Sequence, residues 1–457
     1  MSSFNDFGLS SAMRSNLDQL GFAQPTEIQA KALAPGLAGK DIIAMAKTGS
    51  GKTAAFGISL VENLNPRLFA VQALVLCPTR ELADQVAKAI RELARARDNI
   101  KVLTLCGGVA IGPQIGSLSH GAHIVVGTPG RIQDHLRKQT LSLARLKTVV
   151  LDEADRMLDM GFQEAMEDIL SQTPPSRQTM MFSATWPAPI RELSKQYQKS
   201  PVDVRAEETG DNPDIEELFY EVSPQSKSDA IVALLSQRQP ESCIVFCTTK
   251  QQCDELAKEL GDRGFSALPL HGDLEQRERD SVLVRFGNQS CSILVATDVA
   301  ARGLDIKSLP LVINAEPARD PEVHTHRIGR TGRAGEQGHA VTFCTPAQGH
   351  KISRIESERG RSVEWGDTET LLATPMKPVV PAMKTLCIAG GRKDKIRPGD
   401  VMGALTGEAG LPGKAVGKID LFDHQCFVAV EKSLAGKALS RLESGKVKGR
   451  KIRVRYA

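Results

Sequence analysis

The chain has 457 residues, too many for one ordinary hydrophobic core, and its 41% hydrophobic and 25% charged residues are the composition of a folded rather than a disordered protein. No stretch approaches the roughly 18 continuous apolar residues of a membrane span, and the opening MSSFNDFGLS lacks the basic start and apolar run of a leader, so a soluble cytoplasmic protein is expected. The net charge of +4 hides an asymmetry: residues 381–457 hold 16 Lys and Arg against 7 acidic residues, a net +9 that leaves −5 on the first 380, and such a basic tail points to an anionic partner, nucleic acid first.

In chain order, short apolar β-rich runs alternate with helix-like stretches through the first three-quarters of the sequence. Strands are expected at 41–46, 73–77, 124–127, 148–151 and 179–183, then at 243–247, 267–270, 292–296, 311–314 and 340–344, with helices over 80–97, 251–263 and 275–286. Near-continuous apolar strands separated by helices indicate parallel sheets covered on both faces. Two such series imply two α/β lobes, at 1–206 and 216–369, joined by the polar, turn-rich 207–215. A second break at 370–383, with Pro375, Pro378 and Pro381, reads as a stiff extended linker. Residues 384–457 form a small α+β domain, with strands at 385–388, 426–430 and 450–456 and a helix at 434–442. Nine cysteines without a CxxC pair, the cluster Cys243, Cys247 and Cys253 lacking zinc spacing, are read as reduced buried thiols.

The strongest chemical signal is Ala46-Lys47-Thr48-Gly49-Ser50-Gly51-Lys52-Thr53 between a strand and a helix. A glycine-rich turn at a helix N-terminus aims backbone N–H groups at a phosphate chain. Lys52 would reach the β- and γ-phosphates of ATP, and the Thr53 hydroxyl would bind Mg²⁺. Further on, the strand 148–151 runs into Asp152-Glu153-Ala154-Asp155. Asp152 at a strand end can hold the same Mg²⁺, and Glu153 can orient or deprotonate the attacking water.

These motifs, with those that follow in order, resemble the DEAD-box family of superfamily 2 RNA helicases. Gly21 to Gln29 is similar to the family's adenine-reading motif, implying that Gln29 reads the adenine edge and that Phe4 is the upstream aromatic. Pro78 to Ala83, Gly107-Gly108 and Thr128 to Arg131 resemble its first-lobe RNA contacts, which assigns Arg80, Gly108, Thr128 and Arg131 to the sugar–phosphate backbone. Ser183-Ala184-Thr185 resembles the motif that couples hydrolysis to RNA, through Ser183 and Thr185. In the second lobe the resemblance implies Thr297 on RNA, Asp305 on the ribose, and Arg330 and Arg333 on the γ-phosphate, with Arg327 in the same network. The implied fold is two RecA-like lobes in tandem followed by a small domain resembling an RNA-recognition motif. The implied activity is RNA-stimulated ATP hydrolysis that unwinds short duplexes.

The two central strands expected in the tail offer one aromatic for base stacking, Phe427, and strand alternation favours its facing a core. Recognition is therefore expected from basic loops, with Arg392, Lys393 and Lys395 near its start and Lys446, Lys448, Arg450 and Lys451 near its end. Arg397 to Val401, Gly403 to Gly407 and Gly445 to Gly449 resemble the bacterial DbpA group of the family. That resemblance implies targeting to large-subunit (23S) ribosomal RNA and pre-ribosomal particles during subunit assembly; a monomer is the default expectation. The alternatives are a generalist RNA chaperone and an ATP-gated RNA clamp or scaffold that does not unwind.

Overall fold

A computed structural model, describing residues 3–46, 50–205, 215–301, 309–332, 337–408 and 410–457, turns the apolar runs into strands of three sheets. β1 (Ile42–Met45), β2 (Ala73–Leu76), β3 (Val102–Leu105), β4 (Ile124–Gly127), β5 (Thr148–Asp152), β6 (Gln178–Ser183) and β7 (Val202–Arg205) form a seven-stranded sheet in the order β3-β4-β2-β5-β6-β1-β7. All neighbours in it are parallel. Parallel pairing requires a crossover after each strand, so helices cover both faces. Side-chain alternation sorts the strands between two cores. Val75, Val150 and Phe182 pack with Phe56 and Ile58 on one side. Leu74, Leu151 and Met181 pack with Met166 and Ile190 on the other.

The second lobe repeats this plan. β8 (Ile215–Glu221), β9 (Cys243–Cys247), β10 (Ala267–Leu270), β11 (Ile293–Thr297), β12 (Leu311–Asn314) and β13 (Gly338–Cys344) form a six-stranded sheet in the order β10-β11-β9-β12-β13-β8. It too is parallel throughout. In the tail, β14 (Met383–Ile388), β15 (Val416–Leu421), β16 (Cys426–Glu431) and β17 (Val454–Tyr456) make an antiparallel sheet ordered β15-β16-β14-β17. The seven-stranded sheet lies in one compact unit, and the other two sheets share a second.

The expected joint at 207–215 falls outside the described residues except for Ile215, which opens β8. Residues 370–383 do not behave as a free-standing spacer. Leu371 and Val379 are buried in the core of the second lobe. The Lys377 N–H donates to Ser236 Oγ at 3.0 Å, and the Lys377 carbonyl accepts from Gln239 Nε2 at 2.7 Å. The three prolines stiffen a strap that is pinned to the lobe by apolar anchors at Leu371, ahead of them, and Val379, among them. The strand expected at 450–456 is paired only over Val454–Tyr456, because 446–453 form a basic turn whose charged side chains are exposed while Val447 anchors it in the core.

All nine cysteines are free and buried, and burial pushes the Cys106 and Cys426 thiols up to about 12, well into the protonated range. Among the described residues no helix is long and apolar enough to cross a membrane.

Candidate nucleotide and RNA site

Because every strand of the seven-stranded sheet runs the same way, all their C-terminal ends share one edge, the edge at which open α/β sheets bind ligands. The turn after β1 is the phosphate loop; its Lys47, Thr48 and Gly49 lie outside the described residues. Ala46 is buried and its N–H donates to the Ser183 carbonyl at 3.1 Å, tying the loop to β6. Gly51 caps helix Lys52–Asn63 with φ +92°, and a Cβ there would collide with the Gln29 amide, so only glycine fits. Gln29 accepts from the Thr26 N–H at 3.0 Å and donates to the Gly51 carbonyl at 3.1 Å. The Thr26 hydroxyl donates to the Ser50 carbonyl at 2.8 Å. The Gln29 motif is thus bolted to the phosphate loop. Phe4 sits in the core of the lobe, edge-on to Phe22 at 6.3 Å between ring centres.

Lys52 and Asp152 face each other across the end of the sheet, 7% and 2% exposed. Lys52 Nζ, Asp152 Oδ1 and Ser50 Oγ are buried with no hydrogen-bond partner among the described residues. Burial lifts the Asp152 carboxyl to about 6; Lys52 pulls against that rise and Glu153 adds to it. Buried polar atoms are normally paired. A polyphosphate beside Lys52 and Ser50, with a divalent cation at Asp152, is a ligand whose charges match these three atoms. Thr53, in the first turn of the same helix, is half-buried.

Glu153 adopts a left-handed backbone, φ +54°, uncommon for a side-chain-bearing residue, as the N-cap of helix Ala154–Asp159. Its Oε2 is held by Arg156 Nη1 at 2.7 Å in a pair about 5% exposed. Asp155 points back to β6. Its Oδ2 accepts from the Ala184 N–H (3.1 Å), the Thr185 N–H (2.9 Å) and the Thr185 hydroxyl (3.0 Å). Its own N–H donates to Ser183 Oγ at 3.2 Å. Burial alone would raise the Asp155 carboxyl, but the bonds from Thr185 and Ser183 outweigh it and hold the group below the usual carboxylate range. Ser183 and Thr185 are therefore tied to the Asp152-Glu153 turn through Asp155, a role that the sequence motif containing Asp155 does not disclose, and no motif marks Arg156. Asp155→Ala strands three donors, each charge-assisted bond being worth about 1.5–3 kcal/mol. RNA-stimulated turnover should fall about tenfold or more while ATP binding holds, measured by ATPase assay beside fluorescent-nucleotide titration.

The other end of the same edge carries the remaining first-lobe residues. Arg80 opens helix Arg80–Leu93 after β2, its Nη1 buried without a partner among the described residues. Gly108 has φ +76°, and Thr128 Oγ1 accepts from the Gly107 N–H at 3.4 Å. Arg131 is turned inward: it donates to Gln114 Oε1 at 3.0 Å and to the Val109 carbonyl at 2.8 Å, bracing the loop after β3. Gln114, which also meets His135 at 3.1 Å, is a positioning residue that no local motif marks.

In the second unit Thr297 ends β11, 9% exposed. Asp305 and Arg333 lie outside the described residues. Arg330 is 3% exposed just beyond helix Pro321–Ile328. Arg327, expected in the same network, is an internal brace: it grips Asp298 at 2.6 and 2.8 Å, donates to the Glu316 carbonyl at 2.9 Å and lies over the Phe246 ring. In the tail, Lys448 reaches the Lys395 carbonyl, so the two basic segments meet. They border a cavity of about 220 Å³ with Ile396, Arg450 and Arg453 in its wall. Lys393, near Asp423 at 3.6 Å, and Lys446 are exposed on the same segments.

Three family models match the chain: DEAD/DEAH box helicase over residues 26–193, helicase conserved C-terminal domain over 226–335, and DbpA RNA binding domain over 385–456. The ATP-dependent RNA helicase DbpA of Escherichia coli is 53% identical over 97% of both chains. The DEAD-box ATP-dependent RNA helicase CshA of Geobacillus kaustophilus is 47% identical over 80% of this chain and 78% of its own. Among solved structures, S. cerevisiae Dbp5 bound to RNA and ADP BeF3 is similar with a TM-score of 0.73 and 30% identity, over 81% of this chain and 96% of that one. A phosphate loop, an Asp-Glu-Ala-Asp turn and two parallel-sheet lobes with a basic third domain, matched along nearly the whole length, place the chain among the DEAD-box ATP-dependent RNA helicases, in their DbpA group.

Proposed function

We propose that the chain unwinds short RNA duplexes close to a tail-bound element of large-subunit (23S) ribosomal RNA, during assembly of that subunit in the cytoplasm, acting as a monomer. The observation that carries the address is the convergence of the two basic tail segments at Lys448 and Lys395, in the domain that concentrates a charge of +9. Phosphate contacts from such loops supply affinity and steering. Lys393, Lys446, Lys448 and Arg450 are the tail residues assigned to RNA; Arg80, Gly108, Thr128, Arg131 and Thr297 are assigned to the strand being remodelled. Arg131 acts partly through the loop it braces.

At the nucleotide, Lys52 and the phosphate loop hold the triphosphate, and Phe4, Gln29 and Asp305 are assigned to the nucleoside. Thr53 and Asp152 would hold a Mg²⁺ ion brought in with ATP, which neutralises phosphate charge when bound. Glu153 holds and orients the attacking water. Arg330 and Arg333 belong to the second lobe, so the site is complete only when the lobes close on RNA. ATP and RNA then favour one closed state, and each tightens binding of the other. Ser183 and Thr185, anchored through Asp155, relay that coupling.

The test is an ATPase titration comparing 23S fragments with a homopolymer, for the full chain, for Lys448→Glu with Arg450→Glu, and for a chain lacking 381–457. Both alterations should abolish the preference for ribosomal RNA and leave weaker, unspecific stimulation. A preference that survives both refutes the address. Equal stimulation of the intact chain by any RNA would mark a generalist chaperone, and RNA binding without stimulated phosphate release a clamp.

A further inference from the structure

In the second sheet β9 lies between β11 and β12, and the C-terminal ends of all three come out on one edge. The ladder pairs Thr297, which ends β11, with Cys247, which ends β9. Thr248 therefore steps onto that edge beside the residue assigned to RNA. On the other side of β9, Asn314 pairs with Phe246, and the Ala315 N–H donates to the Phe246 carbonyl at 2.9 Å. This register brings Glu316, the next residue along, to the Cys247–Thr248 step.

A carboxylate beyond a strand end ordinarily faces water. The Glu316 side chain is only 14% exposed, and both its oxygens are bound. Oε1 accepts from Lys227 Nζ at 2.8 Å and from Gln252 Nε2 at 3.0 Å, and Oε2 accepts from the Thr248 hydroxyl at 2.9 Å. Lys227 opens helix Lys227–Arg238, and Gln252 closes the capping box with Thr249 at the start of helix Lys250–Asp262. One carboxylate thus joins the end of β9 to the first turns of two helices. Burial alone would raise the Glu316 carboxyl, but the bonds from Lys227, Thr248 and Gln252 outweigh it and hold the group below the usual carboxylate range. The Glu316 carbonyl accepts from Arg327, and Arg327 grips Asp298, the residue after Thr297. The links close into a ring: Thr297 to Asp298 along the chain, then Arg327, Glu316 and Thr248, and from Cys247 across the ladder back to Thr297.

We propose that Glu316 is a positioning residue for RNA-stimulated hydrolysis: it fixes Thr248 on the edge beside Thr297 and ties that edge, through Arg327, to the helix end from which Arg330 follows. The proposal rests on the assignment of the Thr297 edge to RNA. A strand of RNA arriving there meets groups already held in place, so less ordering is charged against binding. Asp155 has the corresponding part in the first lobe, where it gathers Ser183 and Thr185.

The test is made on the full-length protein with a single-stranded homopolymer RNA. Glu316→Ala should raise the RNA concentration for half-maximal ATPase stimulation about tenfold, the equivalent of one charge-assisted hydrogen bond. Nucleotide affinity without RNA should not change. Thr248→Val removes only a hydroxyl from an exposed residue, and it decides alone should Glu316→Ala fail to fold. It should shift half-saturation about fivefold at an unchanged melting temperature, and Thr248→Ser should restore the original value. The double variant should be no weaker than Glu316→Ala, because both changes cut the same bond. No shift in Thr248→Val, no shift in a folded Glu316→Ala chain, or a double variant whose shift is the product of the two singles overturns the proposal. Thr297→Val tests the assignment beneath it. If Thr297→Val shifts half-saturation and the other two do not, the proposal alone falls; if none of them does, the assignment of this edge to RNA falls with it.

Discussion

Glu153→Gln is expected to lower RNA-stimulated kcat by about 10²–10⁴, the usual contribution of a positioned general base, with the KM for ATP changed little. The substitution separates two roles that the structure superimposes on this residue. As the partner of Arg156 at 2.7 Å, Glu153 is an element of stability; as the acid at the strand end beside Asp152, it is assigned to the water. Glutamine keeps an acceptor for Arg156 but no longer takes a proton. Losing the charge still leaves the buried Arg156 less well compensated, and removing a partner from such a pair costs about 3–5 kcal/mol. A melting curve therefore has to accompany the kinetics. A folded, ATP-binding Glu153→Gln chain whose kcat stays within a few-fold of the original would reduce Glu153 to the structural role.

Arg330→Ala should cost more, about 10³–10⁵ in stimulated turnover, the range found for arginines that stabilise a transferring phosphoryl group. Arg327, three residues earlier and equally buried, is locked on Asp298 and orients the end of helix Pro321–Ile328 from which Arg330 follows. The two arginines should thus fail differently. Loss of Arg327 breaks a buried bidentate pair and should appear first as a lower melting temperature of the second lobe. Loss of Arg330 should appear first in single-turnover hydrolysis with saturating RNA. Arg330→Lys should not rescue, since a compact ammonium cannot reproduce the guanidinium fork. Hydrolysis by Arg330→Ala within tenfold of the original would remove that residue from the chemistry.

What could be read from the sequence follows from where each element sits. Interior strands such as β4 and β9 were visible because both faces are buried and their residues are apolar without interruption. The strands that local pattern did not reveal, β3, β7, β8 and β15, all lie at or beside an open side of a sheet. There one face meets solvent, and Val-Asp-Val-Arg at β7 or Ile-Glu-Glu-Leu at β8 no longer looks like a buried run. The nucleotide site was legible because strand, glycine turn and lysine are contiguous in the chain. Asp155 was not, because its meaning lies in the N–H groups of Ala184 and Thr185, about thirty positions away. The bracing contacts of Arg327 and Arg131 were hidden for a related reason. An arginine in a motif is easily assigned to a ligand, whereas its partners here are Asp298 in one case and Gln114 and the Val109 carbonyl in the other.

The strap between the second lobe and the tail bears on modularity. A proline-bearing segment before a small basic domain invites transplantation: cut near residue 383, join the domain to another helicase core, and expect its address to travel with it. Leu371 and Val379 belong to the core of the second lobe, however, and β14 begins where that anchoring ends. Past the strap, Val284 of the lobe packs on Cys387 and Phe427 of the tail, and Asn288 Nδ2 donates to Thr385 Oγ1 at 2.9 Å, so a cut at 383 would expose buried surface on both sides. Recombination between relatives should therefore be tolerated poorly at 383.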